Sequence, residues 1–300
     1  MESQSEPTAG QSGQPDRRIG RPAHGGPDPP ATTITRSETC FPTLEIERNG
    51  PVATIWMNRP DLHNAFDETL IAELTAACVA LDDNPEVRVV ILAGRGKSFS
   101  AGADLNWMKR AANNGVDDNL NDARALAGML RVLAEMKKPT IARVQGAALG
   151  GGMGLASACD IAIASSKAVF ATSEVKFGII PSAISPYVLR AIGARQAYRY
   201  FQSAERISAE RAREIGLVHE AVEPEELDAK VQEIVSALLQ GGPLAQSAAK
   251  DLIRAVNNQP INDNLVEDTA HRIAHLRATP EAREGISAFL DKRLPTWIGE

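Results

Sequence analysis

The stretch around which the chain is organised reads Ala142-Arg-Val-Gln-Gly-Ala-Ala-Leu-Gly-Gly-Gly-Met-Gly-Leu-Ala-Ser-Ala-Cys-Asp160. Its apolar beginning, residues 140–144, predicts a buried strand that breaks at Gly146. Three glycines follow at 150–152, and a helix of small residues is predicted to begin among them. A helix start offers unpaired N–H groups, which suit a phosphate or an oxyanion that develops during a reaction. The alternative is a tight strand-to-helix turn that serves packing alone.

The composition excludes several classes of protein. The 300 residues are 43% hydrophobic, which is enough for a large core. A net charge of −6 without a Lys/Arg cluster argues against a nucleic-acid partner, and no apolar run approaches the ~20 residues of a membrane span. Three widely spaced cysteines indicate a reducing compartment rather than a disulfide framework or a zinc site, so we expect a cytoplasmic protein.

The first 38 residues differ in composition from the rest. Residues 1–38 are rich in Pro, Gly, Ser, Thr and Gln, and we predict a disordered extension. A transit peptide is the weaker alternative, because four acidic residues fall within this segment. The folded core is predicted over residues 39–240, and a helical assembly region over residues 241–300.

Strands and helices alternate between residues 44 and 222, which predicts an α/β fold with parallel strand pairing. Asn49-Gly50 predicts a hairpin turn between the first two strands. The predicted strands are 44–48, 52–57, 87–92, 140–144, 161–164, 168–171 and 217–222. The predicted helices are 64–81 with Asn64 as its cap, 121–136, 182–192, 195–203, one begun by Ser208, and further helices from Glu225 to the end. The polar connection at 113–119 is predicted to be mobile and lid-like.

A second glycine-containing turn, Ala101-Gly-Ala-Asp104, also follows a predicted strand. The nearby Gly96-Lys-Ser98 imitates a phosphate-binding loop, but that motif requires a glycine where Ile91 stands, so we reject it. If the two strands before the two turns are neighbours, two backbone N–H groups could converge on one carbonyl oxygen. Such a pair is an oxyanion hole.

Glu174 is the side chain best suited to proton transfer. It follows a short apolar strand and is flanked by Val175, Phe177 and Ile179, and apolar surroundings raise the pKa of a carboxyl group. The structural alternative is a carboxylate that caps a turn or pairs with Lys176 or an arginine. His271 and His275 have a metal-compatible spacing, but no third ligand follows, and we predict no metal site.

Several ordered motifs together resemble the crotonase (enoyl-CoA hydratase/isomerase) superfamily, over residues 44–297. The segments that carry the resemblance are Arg59-Pro60, Asn64-Ala65, Lys97-Ser-Phe-Ser-Ala-Gly-Ala-Asp104, Ala148-Leu-Gly-Gly-Gly152, Cys159-Asp160, Ser173-Glu-Val-Lys-Phe-Gly-Ile-Ile-Pro181, 208–220 and Phe289-Leu-Asp-Lys-Arg293. The resemblance implies a spiral of ββα units with a C-terminal helical trimerisation region, and hence a homotrimer or homohexamer.

The resemblance also implies a site and a substrate. The carbonyl of an acyl-CoA thioester would lie between the N–H groups of Ala103 and Gly151, and Glu174 would be one of two catalytic glutamates. Coenzyme A is part of that substrate, and no separate cofactor is implied. The remaining implied contacts with CoA or the acyl chain are Ala101, Asp104 and Leu105, together with Phe289 and Lys292 reaching the CoA of a neighbouring subunit.

The chain departs from the common pattern at two places. Gly154 stands where the second glutamate would fall, and Ser182-Ala-Ile-Ser-Pro186 replaces a glycine-rich turn. The chain resembles a bacterial subgroup of methylglutaconyl-CoA and isohexenylglutaconyl-CoA hydratases, which also carries glycine at the first position. The segments that carry this resemblance are Ala183-Ile-Ser-Pro-Tyr-Val-Leu-Arg-Ala-Ile-Gly193, Arg143-Val-Gln-Gly146 and Tyr198-Arg-Tyr-Phe201. The resemblance therefore implies a hydratase of a branched or carboxylated enoyl-CoA, such as 3-methylglutaconyl-CoA, from leucine or isoprenoid breakdown. The alternatives are an enoyl-CoA delta-isomerase and a non-catalytic acyl-CoA-binding homologue.

Overall fold

A computed structural model of the chain describes residues 35–36 and 41–298. The disordered extension predicted for residues 1–38 lies outside the described residues except for Thr35–Arg36. These two residues form a strand that pairs antiparallel with Glu47 and Arg48 at the edge of the main sheet. No helix of the described part is both long and apolar enough to cross a membrane.

The strands form one large and one small sheet. In chain order they are β1 Thr35–Arg36, β2 Leu44–Asn49, β3 Val52–Met57, β4 Val89–Gly94, β5 Thr140–Val144, β6 Ala148–Leu149, β7 Ile161–Ser165, β8 Val169–Ala171, β9 Ile207–Ser208 and β10 Glu220–Val222. The large sheet has the order β1-β2-β3-β4-β5-β7-β10, and the small sheet has the order β6-β8-β9. From β3 to β10 the large sheet is parallel, as the alternation of strands and helices predicts.

The helices cover both faces of the large sheet. In chain order they are α1 Glu68–Asp83, α2 Leu105–Ala111, α3 Val116–Glu135, α4 Gly151–Ala158, α5 Ser185–Ser203, α6 Ala209–Glu214, α7 Leu227–Gln240, α8 Pro243–Val256, α9 Asp263–Arg277 and α10 Pro280–Leu290. The larger core cluster joins the sheet to α1, α3, α4 and α5, and a smaller one joins it to α7. Parallel sheets need this cover on both faces, which explains the fully buried, largely β-branched β4.

Most predicted strands are confirmed to within two residues. The hairpin between β2 and β3 turns at Gly50, whose φ of +55° is the left-handed conformation that glycine adopts readily. The last predicted strand, 217–222, is wrong in its first half, since only Glu220–Val222 pair with β7. Leu217 and Val218 instead direct their N–H groups to Ala212 O at the end of α6.

The start of α1 differs from the prediction. The side chain of Asp67, not Asn64, caps α1 by accepting from Leu70 N at 2.9 Å. Asn64 has a positive φ of 53° and lies in the loop before the helix, where its buried amide donates to Arg95 O and Ser98 O at 2.9 Å. Asparagine tolerates this left-handed conformation, and its amide here holds a loop that is distant in sequence instead of capping the helix.

The segment predicted as a mobile polar connection, 113–119, is mostly helical. Helix α2 occupies Leu105–Ala111, and α3 begins at Val116, so only residues 112–115 lie between the two helices. Asp117 and Asp118 fall in the first turn of α3, where negative charge interacts favourably with the helix dipole. Polar composition therefore marks an exposed helix start rather than a loop. The break predicted at 193–194 is confirmed as a kink in α5 at Gly193, which has a φ of +70°.

Candidate active site

The two glycine turns lie side by side. Strands β4 and β5, which precede them, are parallel neighbours, so the condition on which the oxyanion hole depends is met. Ser100 bridges to Ala148, and Ala103 bridges to Phe66. A Cβ built on Gly102 would lie 2.9 Å from Leu149 O, so the two turns approach too closely for a side chain at that position. Gly102 also has a φ of +90°, which excludes most other residues.

Two backbone donors in these turns are unused within the described part of the chain. Gly151 is the first residue of α4, and its N–H has no partner within the helix. The Ala103 N–H likewise donates to no described acceptor, whereas both neighbouring donors are occupied. Asp104 N donates to Phe66 O at 2.8 Å, and Gly150 N donates to Ala171 O at 2.8 Å. The two N–H groups that the resemblance implies are thus among the unused donors of the turns.

The ring of Phe66 determines where α4 begins. A Cβ built on Gly151 would overlap the Phe66 ring, so only glycine lets the helix start pack this closely against the turn at 101–104. Phe66 is itself only 1% exposed. The N–H of Gly151 is therefore presented by a backbone that cannot shift without moving a buried aromatic ring.

Glu174 approaches the two glycine turns from a third segment of the chain. It begins a short 3-10 turn, Glu174–Phe177, just after β8 of the small sheet. Its Oε1 atom lies 3.1 Å from where a Cβ on Gly150 would stand. Its Oε2 atom is buried and has no hydrogen-bond partner among the described residues. No ion pair joins Glu174 to Lys176 or to an arginine of the described part, so of the structural alternatives only the contact with its own backbone turn is present.

Burial raises the pKa of Glu174 above its ordinary value of 4.5, and a hydrogen bond to its own backbone opposes that effect only in part. A carboxyl group with a raised pKa binds and releases a proton closer to neutral pH. An unpaired buried acceptor beside two unpaired donors is costly for folding, and such groups are commonly retained for chemistry.

A cavity of about 460 Å³ connects these groups. Five of the sequence-predicted residues line it: Ala101, Ala103, Leu105, Gly151 and Glu174. The rest of its wall is mostly apolar, and none of its described lining residues is a lysine or an arginine. The cavity can therefore hold an apolar chain with a carbonyl placed at the two turns.

Three of the predicted contacts do not line this cavity. Asp104 caps α2 by accepting from Asn106 N at 2.8 Å and pairs with Arg59 at 3.4 Å. Phe289 and Lys292 lie at the end of α10, where Phe289 is 82% exposed. Their predicted contact with the CoA of a neighbouring subunit stays a prediction, as does the placement of Asp104 along the CoA path.

Asp122 and Trp107 are among the cavity residues that were not singled out from the sequence. Asp122 lies on the face of α3 that Asn119, Ala123 and Leu126 also direct toward the cavity, and Trp107 of α2 lines the same wall. The Trp107 Nε1 atom is buried without a hydrogen-bond partner in the described part. Asp122 already fell within the predicted helix 121–136, four residues before Leu126, so helical spacing could have placed it on this face.

The histidine pair shows no sign of a metal centre. His271 Nε2 lies 2.9 Å from Glu267 Oε1, and the rings of His271 and His275 stack with centroids 5.9 Å apart. No group of three or more potential metal-ligating side chains is found within the described ranges.

Comparisons with known proteins agree with this geometry. A family model described as enoyl-CoA hydratase/isomerase matches residues 47–300. A crotonyl-CoA hydratase from Syntrophomonas wolfei is 34% identical over 87% of this chain and 99% of its own length. A putative enoyl-CoA hydratase from Thermus thermophilus is 31% identical over 84% of this chain and 99% of its own length.

Solved structures extend the likeness to three dimensions. A putative enoyl-CoA hydratase/isomerase (crotonase) from Legionella pneumophila has a TM-score of 0.81 and 45% identity, and covers 85% of this chain and 98% of its own. An enoyl-CoA hydratase from Shewanella pealeana has a TM-score of 0.84 and 42% identity, over 86% of this chain and 96% of its own. The chain has the α/β crotonase fold with C-terminal helices, and it belongs to the enoyl-CoA hydratase/isomerase family.

Proposed function

We propose that this protein is an enzyme that adds water to the double bond of a 2-enoyl-CoA thioester, or removes it in the reverse direction. The observation that carries the proposal is the cavity in which two unused N–H groups, at Ala103 and Gly151, meet the unpaired carboxylate of Glu174. Membership of the family and the hydratase names of its relatives support the same reaction.

In the proposed reaction the thioester oxygen accepts hydrogen bonds from the N–H groups of Ala103 and Gly151. As water adds at C3, electron density moves from the double bond to this oxygen and forms an enolate. The two donors and the start of α4 stabilise the negative charge in a site with apolar walls. Losing one donor of this kind typically costs ~10²–10³ in rate.

Glu174 moves the protons. Its carboxylate takes one proton from the attacking water, and the resulting carboxylic acid returns a proton to C2 of the enolate. The O–H bond of water breaks, a C3–O bond and a C2–H bond form, and Glu174 ends in its starting state. Burial raises the pKa of Glu174, and a carboxyl group with a raised pKa is a better base than an ordinary carboxylate when it takes the proton from water.

The acyl chain is proposed to be branched. The sequence is compatible with a branched or a carboxylated acyl chain. The cavity wall is mostly apolar and has no lysine or arginine among its described residues. Lys176 is exposed, and Arg190 lines a separate crevice near Cys159. These positions support an uncharged chain within the subunit, and the proposed branching rests on the resemblance to the hydratase subgroup. A carboxylated chain such as 3-methylglutaconyl-CoA would require a cation from a neighbouring subunit.

Assembly and location complete the proposal. We infer a homotrimer or homohexamer built through residues 241–300, with CoA entering only as part of the substrate. Large apolar side chains are exposed on and around the C-terminal helices, namely Ile253, Ile261, Val266, Phe289, Leu290 and Leu294. A partner subunit would bury this surface. The buried free thiols of Cys78 and Cys159 support a reducing compartment such as the cytoplasm.

An enoyl-CoA delta-isomerase is the second candidate. Position 154 is glycine, so Glu174 has no second glutamate on α4 beside it. Moving a double bond needs one group that takes a proton from one carbon and returns it to another, and Glu174 suits that task equally well.

Product analysis tests the proposal. The purified protein is incubated with straight-chain, branched and carboxylated 2-enoyl- and 3-enoyl-CoA esters, and the products are analysed by mass spectrometry. We expect the mass of one water to be added, with the highest kcat/KM for branched 2-enoyl esters. A shifted double bond at constant mass would establish the isomerase instead. Tight binding without turnover of any ester would establish the non-catalytic homologue.

A further inference from the structure

Ile184 has contacts on two sides. It lines the cavity beside Glu174, yet it is only 2% exposed. Its other side packs on α4 at Gly154, where a built Cβ would overlap Ile184 Cγ2 and lie 2.8 Å from Ile184 Cβ. The position of the Ile184 side chain therefore depends on the absence of a side chain at Gly154.

The close approach is the reason that Gly154 is a glycine. Gly154 lies in the interior of α4, its N–H donates to Gly150 O at 3.1 Å, and its φ is not positive. The backbone conformation thus places no demand on the residue type. Glycine in a helix interior is less favourable than alanine by ~1 kcal/mol. The Ile184 side chain occupies the space that an alanine methyl group would need, which explains why the less favourable glycine stands at position 154.

The side chain of Ile184 can be displaced only toward the cavity. Its carbonyl oxygen accepts hydrogen bonds from Tyr187 N and Val188 N, both at 3.1 Å, which hold its backbone at the start of α5. Its side chain belongs to the main core cluster, which is closely packed. The open side is the cavity, so a larger residue at Gly154 would press Ile184 toward the acyl chain.

We propose that Gly154 and Ile184 form a specificity-determining pair, in which Gly154 sets how far Ile184 projects into the cavity and thereby which length and branching of acyl chain fits beside Glu174. This inference rests on the proposed function, since it assigns the 460 Å³ cavity to the acyl group of a CoA ester. It predicts opposite effects for two substitutions. Gly154→Ala narrows the cavity, and Ile184→Ala widens it.

The test compares Gly154→Ala, Ile184→Ala and the double variant with the parent. Each is titrated with saturated acyl-CoA esters of increasing length, with and without a methyl branch, and the dissociation constants are measured by calorimetry. Saturated esters cannot be hydrated, so the measurement does not depend on turnover. Gly128→Ala is the matched control, because it also lies within a helix but its Cβ would meet no atom within 4 Å.

We expect Gly154→Ala to favour short unbranched chains by about 10-fold or more relative to the parent, as expected for a methylene-sized change in an apolar pocket. Ile184→Ala should shift the preference by a similar factor toward longer or branched chains. The double variant should return toward the parent profile, and Gly128→Ala should leave it unchanged.

Equal changes for all esters, or an unchanged profile in the folded variants, would overturn the proposal. If Gly154→Ala does not fold, as checked by circular dichroism and thermal melting, Ile184→Ala and the double variant decide the question. Parent protein that binds this series but hydrates no enoyl ester would refute the proposed function and leave this inference intact. Parent protein that binds no acyl-CoA ester would refute both.

Discussion

Two carboxylates flank the glycine turns, and they illustrate opposite uses of a buried charge. Asp104 is 6% exposed, and its oxygens accept from Asn106 N and Trp107 N and pair with Arg59. Glu174 is half-buried, and its Oε2 atom has no partner in the described part. The more buried carboxylate is thus the satisfied one. Hydrogen-bonding state, more than burial, separates a structural carboxylate from one that is available for chemistry.

Asp104 acts on the site through the backbone. Arg59 bonds Asp67 at 2.9 Å and Ala65 O at 2.6 Å besides pairing with Asp104. These contacts join the loop before α1 to the turn that presents the Ala103 N–H. Asp104 therefore helps to position a donor, whereas Glu174 is placed to exchange protons.

The largest expected effect is a difference in turnover rate between variants of Glu174 and Asp104. Glu174→Gln keeps the shape of the side chain and removes its basic site, so turnover should fall by ~10²–10⁴ while the affinity for a saturated acyl-CoA ester is kept. Asp104→Asn, the matched control, should retain turnover to within about one order of magnitude of the parent. Steady-state kinetics and calorimetry measure both. Near-normal activity of Glu174→Gln would contradict the assignment.

The second expected effect is a loss of folding stability when Asp104 is replaced. Asp104→Ala removes the cap of α2 and one partner of the partly buried Arg59, so the free energy of unfolding should fall by ~2–4 kcal/mol. Urea unfolding measures this loss. Because Arg59 retains Asp67, the loss should stay below that of an isolated buried charge. Unchanged stability with weakened CoA-ester binding would instead place Asp104 on the CoA path, as the resemblance implies.

The third effect is on the pH dependence of the rate. Glu174 must be ionised to take a proton from water, and its pKa is raised by burial. The rate should therefore fall as the pH drops through that raised pKa, with the acidic limb of kcat/KM above the ordinary value of 4.5. Rates measured between about pH 4 and about pH 8, roughly the range over which such groups titrate, test this. An acidic limb of kcat/KM at or below the ordinary carboxyl pKa would indicate that the Glu174 carboxylate is solvated.

The smallest effect is on the pH dependence of stability. A raised carboxyl pKa means that the folded state binds the Glu174 proton more tightly than the unfolded state does. Its contribution is fully present below the ordinary value of 4.5 and is lost as the pH rises through the folded pKa. Glu174→Gln should therefore melt higher than the parent at neutral pH and equally below 4.5. Melting curves across pH measure the difference, and a lower Tm at neutral pH would argue against a strained, unpaired carboxylate.

Local patterns in the sequence sufficed for much of the fold. The run at 140–144 forms β5, Asn49-Gly50 turns a hairpin, and α4 begins among the three glycines. These features depend on residues that are close in sequence. The cap of α1 was misjudged because Asn64 is held by Arg95 O and Ser98 O from a distant loop. The helical state of 116–119 was misjudged because its polar residues, which are also typical of loops, form the exposed first turn of α3.

The sequence by itself determined the class of site: glycine turns with spare N–H groups after strands, and an acid in apolar surroundings. Only the tertiary structure decided that the two turns touch, that Glu174 lacks a partner while Asp104 has several, and that Ile184 fills the space over Gly154. The physical reason is that hydrogen-bond satisfaction and steric exclusion depend on atoms far apart in the chain. A residue pattern records which groups exist, and packing decides which of them are left free to react.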